Sequence, residues 1–316
     1  MGTIVKALTP EARLKRRLRA HLKALGFTHA EEGGLELASE SKETFRSLHR
    51  KHWEERLNEH RASVNYWWPR LSNYFAHGHD VNPTLISPRL ELVQSDSWQS
   101  ALFRLATLTW SIPVSNGYGR RMRFLVWDDA CDKLIGIIAL TDPVFNLRVR
   151  DALIGWTGDD RKDRLAFMMD AHVLGALPPY NTLLGGKLVA CLVRSQEVRD
   201  IFRKKYAEGV GVISGEQKKP QLLAVTTSSS LGRSSVYNRL ALDGTRYFAP
   251  IGYTLGFGHF HISQSLFEQM REYLEVTGHS YANANEFGNG PNWRMRAIRE
   301  CLSSLGLSQK LMKHNL

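Results

Sequence analysis

The chain has 316 residues, of which 43% are apolar, 23% charged and 10% aromatic. This composition excludes a largely disordered protein, and a chain of this length can bury a core without a disulfide or a structural metal. The 42 basic against 31 acidic residues give a formal charge of +11, which favours an anionic partner, most often nucleic acid. The alternative is a basic protein whose charge serves only solubility.

The cysteines Cys131, Cys191 and Cys301 are widely spaced and form no C-x-x-C pair. They predict neither a disulfide framework nor a zinc knuckle. The N-terminus lacks an apolar secretory core, and no run of about 20 apolar residues is present to span a bilayer. We therefore expect a cytoplasmic protein without a membrane partner.

The first predicted element is a basic amphipathic helix. Thr9 is a suitable N-cap and Gly26 a suitable end, with leucines at helical spacing between them. Its other faces carry the cations Lys15, Arg16, Arg17, Arg19 and Lys23. These side chains either contact a nucleic-acid backbone or form the solvated face of a surface helix.

A second helical stretch begins near Ser41 and is predicted to break before Pro69. Residues 65–75 interleave aromatic side chains with Arg70. Stacking on unpaired bases is one interpretation of this segment, and an aromatic packing cluster is the favoured one.

The pattern changes to strands at Met122, where two apolar runs on either side of a turn predict a hairpin. The further predicted elements are a strand at 151–156, a strand within 165–179, a helix at 182–194 that continues or restarts to 206, a strand at 221–227, a short helix with Tyr237, strands at 246–254 and 258–263, and helices at 264–276 and 292–305.

These elements predict an α/β (α+β) fold with a mixed central sheet flanked by helices. We expect three parts: a basic helical N-terminal region at 1–110, an α/β core at 111–265 and a C-terminal helical extension at 266–316.

Gly185 and Gly186 fall in the first turn of the predicted helix that follows a strand. Without side chains there, an anion can approach backbone N–H groups that the helix dipole makes more positive. The alternative is that the two glycines let the helix pack closely on the sheet.

The order of the core elements resembles the Gcn-type N-acetyltransferase fold. In that family a turn of pattern Q/R-x-x-G-x-G/A binds the pyrophosphate of acetyl-coenzyme A, and here Leu183 stands where its first glycine is expected. The resemblance implies that the cofactor-binding residues are Asn181, Gly185, Gly186 and Lys187.

The same resemblance implies that Tyr237 acts as a general acid toward the leaving thiolate. Asp170, on the strand before the glycines, is the carboxylate that we expect as a base, with Asp142 and Asp151 as alternatives. Each of these residues also has a structural interpretation, as a satisfied hydroxyl or as a turn or ion-pair carboxylate.

At the level of the whole chain the sequence resembles the family of the Druantia anti-phage protein A. The residues that carry this likeness lie within 10–265 and include LKRRLRAHLKALGF, SIPVSNGYGRRMRFLVWD, LGALPPYNTLLGGKL and TSSSLGRSSVYNRL. The resemblance implies a role in defence or mobile-DNA biology, with DNA and other defence-system proteins as expected partners.

Two loops offer further phosphate contacts. Arg120, Arg121 and Arg123 stand just before or at the start of a predicted strand, where guanidinium groups can clamp phosphates, and Arg233 lies among hydroxyls. Ordinary polar loops are the alternative. His259 and His261 alternate onto one strand face, but without a third ligand we favour a structural pair and expect no metal site.

These observations predict a DNA-associated defence protein whose acyltransferase-like core modifies nucleic acid or a bound small molecule. The alternative is a non-catalytic nucleic-acid-binding scaffold with the same fold. A nuclease or transposase needs clustered carboxylates for two metal ions, which the spacing of the aspartates does not predict.

Overall fold

The computed structural model describes residues 8–29, 34–37, 41–112, 114, 117–209, 220–229, 234–253, 261–280 and 293–312. The chain forms two compact units. The helical unit comprises Met1–Glu55 and Leu255–Leu316, and the sheet unit comprises Arg56–Thr254. The division of the sequence at residues 110 and 265 stays a prediction.

The helices are α1 (Pro10–Ala24), α2 (Lys42–Glu59), α3 (Arg61–Leu71), α4 (Trp98–Leu108), α5 (Arg148–Ile154), α6 (Gly158–Arg164), α7 (Gly185–Leu192), α8 (Gln196–Lys205), α9 (Ser235–Asn238), α10 (Gln264–Val276) and α11 (Trp293–Ser304). The strands are β1 (Phe27–His29), β2 (Leu35–Leu37), β3 (Pro88–Leu92), β4 (Arg121–Asp128), β5 (Lys133–Thr141), β6 (Met168–Ala176), β7 (Ala224–Thr226), β8 (Ala241–Leu242) and β9 (Thr245–Arg246). Within the described ranges, none of these helices is both long and apolar enough to cross a bilayer.

The helical unit packs α1, α10 and α11 around one apolar core. The predicted N-cap is confirmed, because the Thr9 hydroxyl accepts a hydrogen bond from the Ala12 N–H at 3.2 Å. The leucines predicted at helical spacing in α1 face this core. Its buried members include Leu14, Leu18, Leu22, Phe267, Met270, Leu274, Ile298 and Leu302. The helices predicted at 264–276 and 292–305 are confirmed as α10 and α11.

A five-stranded sheet in the order β3-β4-β5-β6-β7 organises the sheet unit. Its strands pair antiparallel except β6 and β7, which are parallel, so the predicted hairpin and mixed sheet are confirmed. Neighbouring residues of β4 alternate between two cores: Phe124 belongs to the core that includes α7 and α8, and Leu125 to the core that includes α4. Burial on both faces explains the continuous apolar run of this strand.

Three sequence-based elements differ in the structure. The strand predicted at 151–156 is wrong, since this stretch ends helix α5, which begins at Arg148 and is capped by the Asp151 carboxylate on the Leu147 N–H at 3.3 Å. Pro69 does not end a helix; it lies inside α3, two residues before the helix ends at Leu71, and its missing N–H removes one hydrogen bond to the preceding turn. The strand predicted at 246–254 is reduced to β9.

The bend between β6 and α7 is anchored by Tyr180. This side chain is fully buried, and its hydroxyl donates to the buried Asp128 carboxylate at 2.9 Å. A Cβ atom on Gly185 would lie 2.6 Å from the Tyr180 carbonyl oxygen, whereas a Cβ on Gly186 would meet only Val236, at 3.5 Å. Gly185 therefore serves close packing, which favours that alternative over approach of an anion.

This packing predicts that alanine lowers the free energy of unfolding when it replaces Gly185 but changes it little when it replaces Gly186. Gly185→Ala would push a methyl group into backbone atoms, so we expect a loss of about 1–3 kcal/mol in the free energy of unfolding. Gly186→Ala is the matched control and should remain within about 1 kcal/mol of the wild type, because alanine favours helices. Urea unfolding monitored by circular dichroism measures both, and equal stability of the two variants would contradict the packing role of Gly185.

Candidate functional site

A row of polar residues crosses four neighbouring strands of the sheet. Arg121 of β4 pairs with Thr141 of β5, Thr141 pairs with Asp170 of β6, and Asp170 pairs with Thr226 of β7. Residues paired in this way project from the same face of a sheet. The Thr226 hydroxyl donates to the Asp170 carboxylate at 2.7 Å, which fixes one oxygen of the acid. The sheet register thus places a cation and a carboxylate on one face, two strands apart.

A cleft of about 540 Å³ opens beside this row. It is lined by Asp170, His172, Asn181, Tyr237 and Trp110 and by hydroxyl side chains that include Thr227, Ser228, Ser229 and Ser234. The cleft therefore brings together three residues that sequence reasoning singled out, Asp170, Asn181 and Tyr237. Among its described lining residues there is one carboxylate and no lysine or arginine.

His172 is the titratable residue of this cleft that sequence reasoning missed. It lies at an irregularity of β6, where the pairing moves from Val173 to Ala171, and a Cβ on Gly117 would come within 3.0 Å of its ring. Burial lowers the pKa of His172 to about 4, with a further contribution from the positive charge of Arg121. The imidazole is therefore neutral at pH 7.

Asp170 differs from the other candidate bases in its partners. Burial raises the pKa of Asp170, while the Thr226 hydroxyl and the charge of Arg150 oppose that rise. Asp142 instead binds the Arg120 guanidinium at 2.7 Å, and Asp151 binds Arg150 at 2.6 Å, so both are ion-pair carboxylates. Within the described ranges, Asp170 has no ion pair and remains the candidate base.

Tyr237 is half-buried above the same strand. Its phenol donates to the Leu174 carbonyl at 3.0 Å, and burial raises the pKa of this phenol. Its ring packs against Phe248 with centroids 5.3 Å apart. The hydroxyl is thus satisfied by a backbone acceptor, as the structural interpretation expects. Tyr237 is also one of the residues that line the cleft.

Of the residues expected to hold a cofactor, one lines the cleft and three lie at the start of α7. Asn181 lines the cleft, whereas Gly185, Gly186 and Lys187 lie in the first turn of α7 and are not among its lining residues. Gly185 is buried, and the residue before it, Leu184, is 69% exposed and has a positive φ of 63°. The role of these four residues in binding a pyrophosphate stays a prediction.

The Arg120 guanidinium forms hydrogen bonds with other groups of the protein. Its Nε donates to Asp142 at 2.7 Å, and its terminal nitrogens donate to the carbonyls of Ala166 at 2.7 Å and Met168 at 3.1 Å. The guanidinium therefore joins the segment before β4 to the start of β6. These bonds occupy the donors that a phosphate would need.

Arg121 and Arg123 contribute instead to a surface of four basic side chains, here called the cationic surface, made of Arg104, Arg121, Arg123 and Lys205. Burial and the charges of Arg104 and Arg121 lower the pKa of Arg123, and burial and the charge of Arg123 lower the pKa of Lys205. The Lys205 ammonium donates to the Arg121 carbonyl at 2.9 Å. In the part of the chain that the structure describes, none of the four is paired with a carboxylate.

Sequence reasoning did not identify Arg104 and Lys205 as part of this surface, because they lie on α4 and α8, apart in sequence from β4. The helix of Lys205 was predicted and that of Arg104 was not, and no local pattern shows which helix face meets a strand that is distant in sequence. The only available signal was the absence of an acidic residue three or four positions from Arg104.

The basic residues of α1 belong to the helical unit. Lys15 pairs with Glu11 at 2.6 Å and Arg17 donates to Gln269 at 2.5 Å, whereas Arg16 and Arg19 are exposed. Arg233 and His259 lie outside the described residues. A ring nitrogen of His261 is 3.0 Å from the Leu311 carbonyl, and no group of three possible metal ligands occurs among the residues that the structure describes.

The depressed pKa of His172 predicts how stability depends on pH. The unfolded chain binds a proton on this histidine near pH 6.5, the folded chain only near pH 4, so stability falls as the pH drops through that window. Between pH 7 and pH 4.5, wild type should lose about 1–3 kcal/mol more than His172→Gln. Urea unfolding at both pH values measures this, with the exposed His79→Gln as control; equal acid losses in wild type and His172→Gln would contradict it.

Comparison with known proteins places these observations in a family. The family model described as Druantia protein DruA matches residues 39–316. The Druantia protein DruA of Escherichia coli (strain UMEA 4076-1) is 53% identical over 313 residues, which is 99% of this chain and 78% of the relative. No solved structure matches this chain, so the acetyltransferase resemblance gains no support from a known fold. On both the family model and this relative, the chain belongs to the Druantia protein DruA family.

Proposed function

We propose that this protein acts in anti-phage defence as a nucleic-acid-binding protein, with DNA as the favoured partner. Membership of the DruA family implies the defence role. The observation that supports nucleic-acid binding is the cationic surface, where Arg104, Arg121, Arg123 and Lys205 lie near one another and, in the described part of the chain, form no ion pair; the nearest opposing charge is that of Asp96, which acts on Arg123.

The energetic argument rests on repulsion between like charges. Burial is the largest cause of the lowered pKa values of Arg123 and Lys205; the charges of their basic neighbours lower both further, and Asp96 partly opposes this at Arg123. A phosphate backbone would relieve that repulsion and release counterions from the nucleic acid. A surface whose charges serve only solubility is better served by acidic and basic side chains interspersed with one another than by four cations together. The arrangement therefore favours a polyanion.

Arg16 and Arg19, two of the four exposed arginines of α1, are a second proposed contact with phosphates. They belong to the helical unit and are tested separately from the cationic surface. Other proteins of the Druantia system are the further partners that family membership suggests.

Catalysis in the cleft is a second candidate function. Asp170 lines the cleft without an ion pair within the described ranges, and burial raises its pKa, which is an environment that suits a general base. Tyr237, which is the proposed general acid, lines the same cleft. Acyl transfer from acetyl-coenzyme A stays a prediction from the resemblance, and of its four cofactor residues only Asn181 reaches this cleft.

Removal of two unpaired cations tests the proposal. We expect Arg121→Gln/Arg123→Gln to weaken binding of a DNA duplex about tenfold or more and to reduce the slope of log affinity against log salt by about 1–2, since each lost phosphate contact changes that slope by about 0.9. Folding should be retained, because the hydrogen bonds of Lys205 and Tyr206 go to the backbone oxygen of Arg121. Fluorescence anisotropy over a salt series measures both quantities.

The control removes the same charge elsewhere. Lys162 and Arg164 of α6 already pair with Asp159 and Asp160, so Lys162→Gln/Arg164→Gln should leave the salt slope unchanged. An equal effect of the two double variants would show a general charge effect and contradict a localised surface. Loss of binding only in Arg16→Gln/Arg19→Gln would move the interface to α1.

A further inference from the structure

We propose that the cleft beside the polar row binds one unpaired nucleobase, while phosphates of the same strand lie on the cationic surface. This inference rests on the proposed nucleic-acid binding and adds the class of group that enters the cleft. It follows from the charge of the cleft, the chemistry of its walls and its place next to Arg121.

The charge of the described lining disfavours a phosphate as the occupant. It holds Asp170 and no lysine or arginine, so an anion would face a carboxylate with no cation among the described lining residues. His172 stays neutral at pH 7, because burial lowers its pKa to about 4. A neutral group that offers hydrogen bonds therefore fits better than a charged one.

The walls suit a flat heterocycle. The Trp110 ring lies against the backbone of Gly175, where a Cβ would come within 3.1 Å of it, so that a broad aromatic surface borders the cleft. Asn181 is exposed and supplies both donors and an acceptor, and Ser228, Ser229 and Ser234 supply hydroxyls. Aromatic stacking combined with such edge contacts is how proteins hold unpaired bases.

One ring nitrogen at this cleft has no partner among the described residues. Trp110 Nε1 is buried and makes no hydrogen bond within the described part of the chain. A buried donor without an acceptor is unfavourable. A base that offers an acceptor to this N–H would satisfy it.

The size and position of the cleft fit one base of a strand. Its volume of about 540 Å³ lies in the range of small-molecule sites and is too small for a duplex. Arg121 and Asp170 are separated by one strand, which is about 10 Å between their backbones at the usual strand spacing. A phosphate bound by Arg121 therefore leaves its own base within reach of the cleft.

The test compares a labelled single strand of about 12 nucleotides with a strand of the same length and charge that lacks bases. By fluorescence anisotropy we expect the wild type to bind the intact strand about tenfold more tightly than the abasic strand. Asn181→Ala should weaken the intact strand about threefold or more and leave the abasic strand unchanged. Its fold should be retained, because only the backbone N–H of Asn181 is used, toward Leu177.

Asn238→Ala is the matched control, since Asn238 is exposed on α9 and is not among the residues that line the cleft. It should bind both strands as the wild type does. Equal affinity of the wild type for intact and abasic strands overturns the inference while leaving phosphate binding intact. Equal losses in the two asparagine variants overturn it as well.

Equilibrium dialysis with adenosine, guanosine, cytidine and thymidine separates a base of a strand from a free nucleoside. Nucleoside binding that is lost in Asn181→Ala, without binding of any strand, would support the cleft ligand and overturn the proposed nucleic-acid function. Absence of both strand and nucleoside binding overturns both proposals.

Discussion

The register of the five-stranded sheet is the constraint on which the cationic surface and the cleft both depend. β4 is buried on both faces, so apolar alternation alone does not select its register. The polar row does, because a slip of β6 by one residue would turn Asp170 into the apolar core that now holds Met169 and Ala171. Burial of an unpaired carboxylate costs several kcal/mol, which makes this slip unfavourable. Arg121 and Asp170 share a face for the same reason.

The bend after β6 fixes the position of Asn181 at the cleft. Asp128 is buried and accepts hydrogen bonds from the Tyr180 hydroxyl at 2.9 Å and from the N–H groups of Ser87 at 2.9 Å and Ala130 at 3.1 Å. Tyr180 is thereby held under Gly185, and the residue after Tyr180 is Asn181, which lines the cleft. Gly185 thereby helps to place Asn181 beside the cleft.

Local patterns predicted the elements whose periodicity is clear. The stripe of α1, the β4–β5 hairpin and helices α10 and α11 were all visible in the sequence. α5 was missed because its short apolar run, DALIGW, suits a strand as well as a helix, and the cap that decides it, Asp151 on Leu147, is seen only in three dimensions. Asp170, Asn181 and Tyr237 were predicted as site residues. His172 and Trp110 were missed, since only the pairing of distant segments brings them to the cleft.

Arg120 and Arg121 show why a count of basic residues does not locate an interface. Both stand in the same loop-to-strand segment, but Arg120 precedes β4 and its donors bind Asp142 and two carbonyls. Arg121 is the first residue of β4, so the pleat directs it toward Thr141 and away from those acceptors. Within the described ranges its side chain forms no ion pair; it lies beside Arg123, and its charge reaches His172. A net charge of +11 sets the sign of the field, but under the proposed function it is the cations without an ion pair in the described part of the chain that we expect to bind a strand of phosphates.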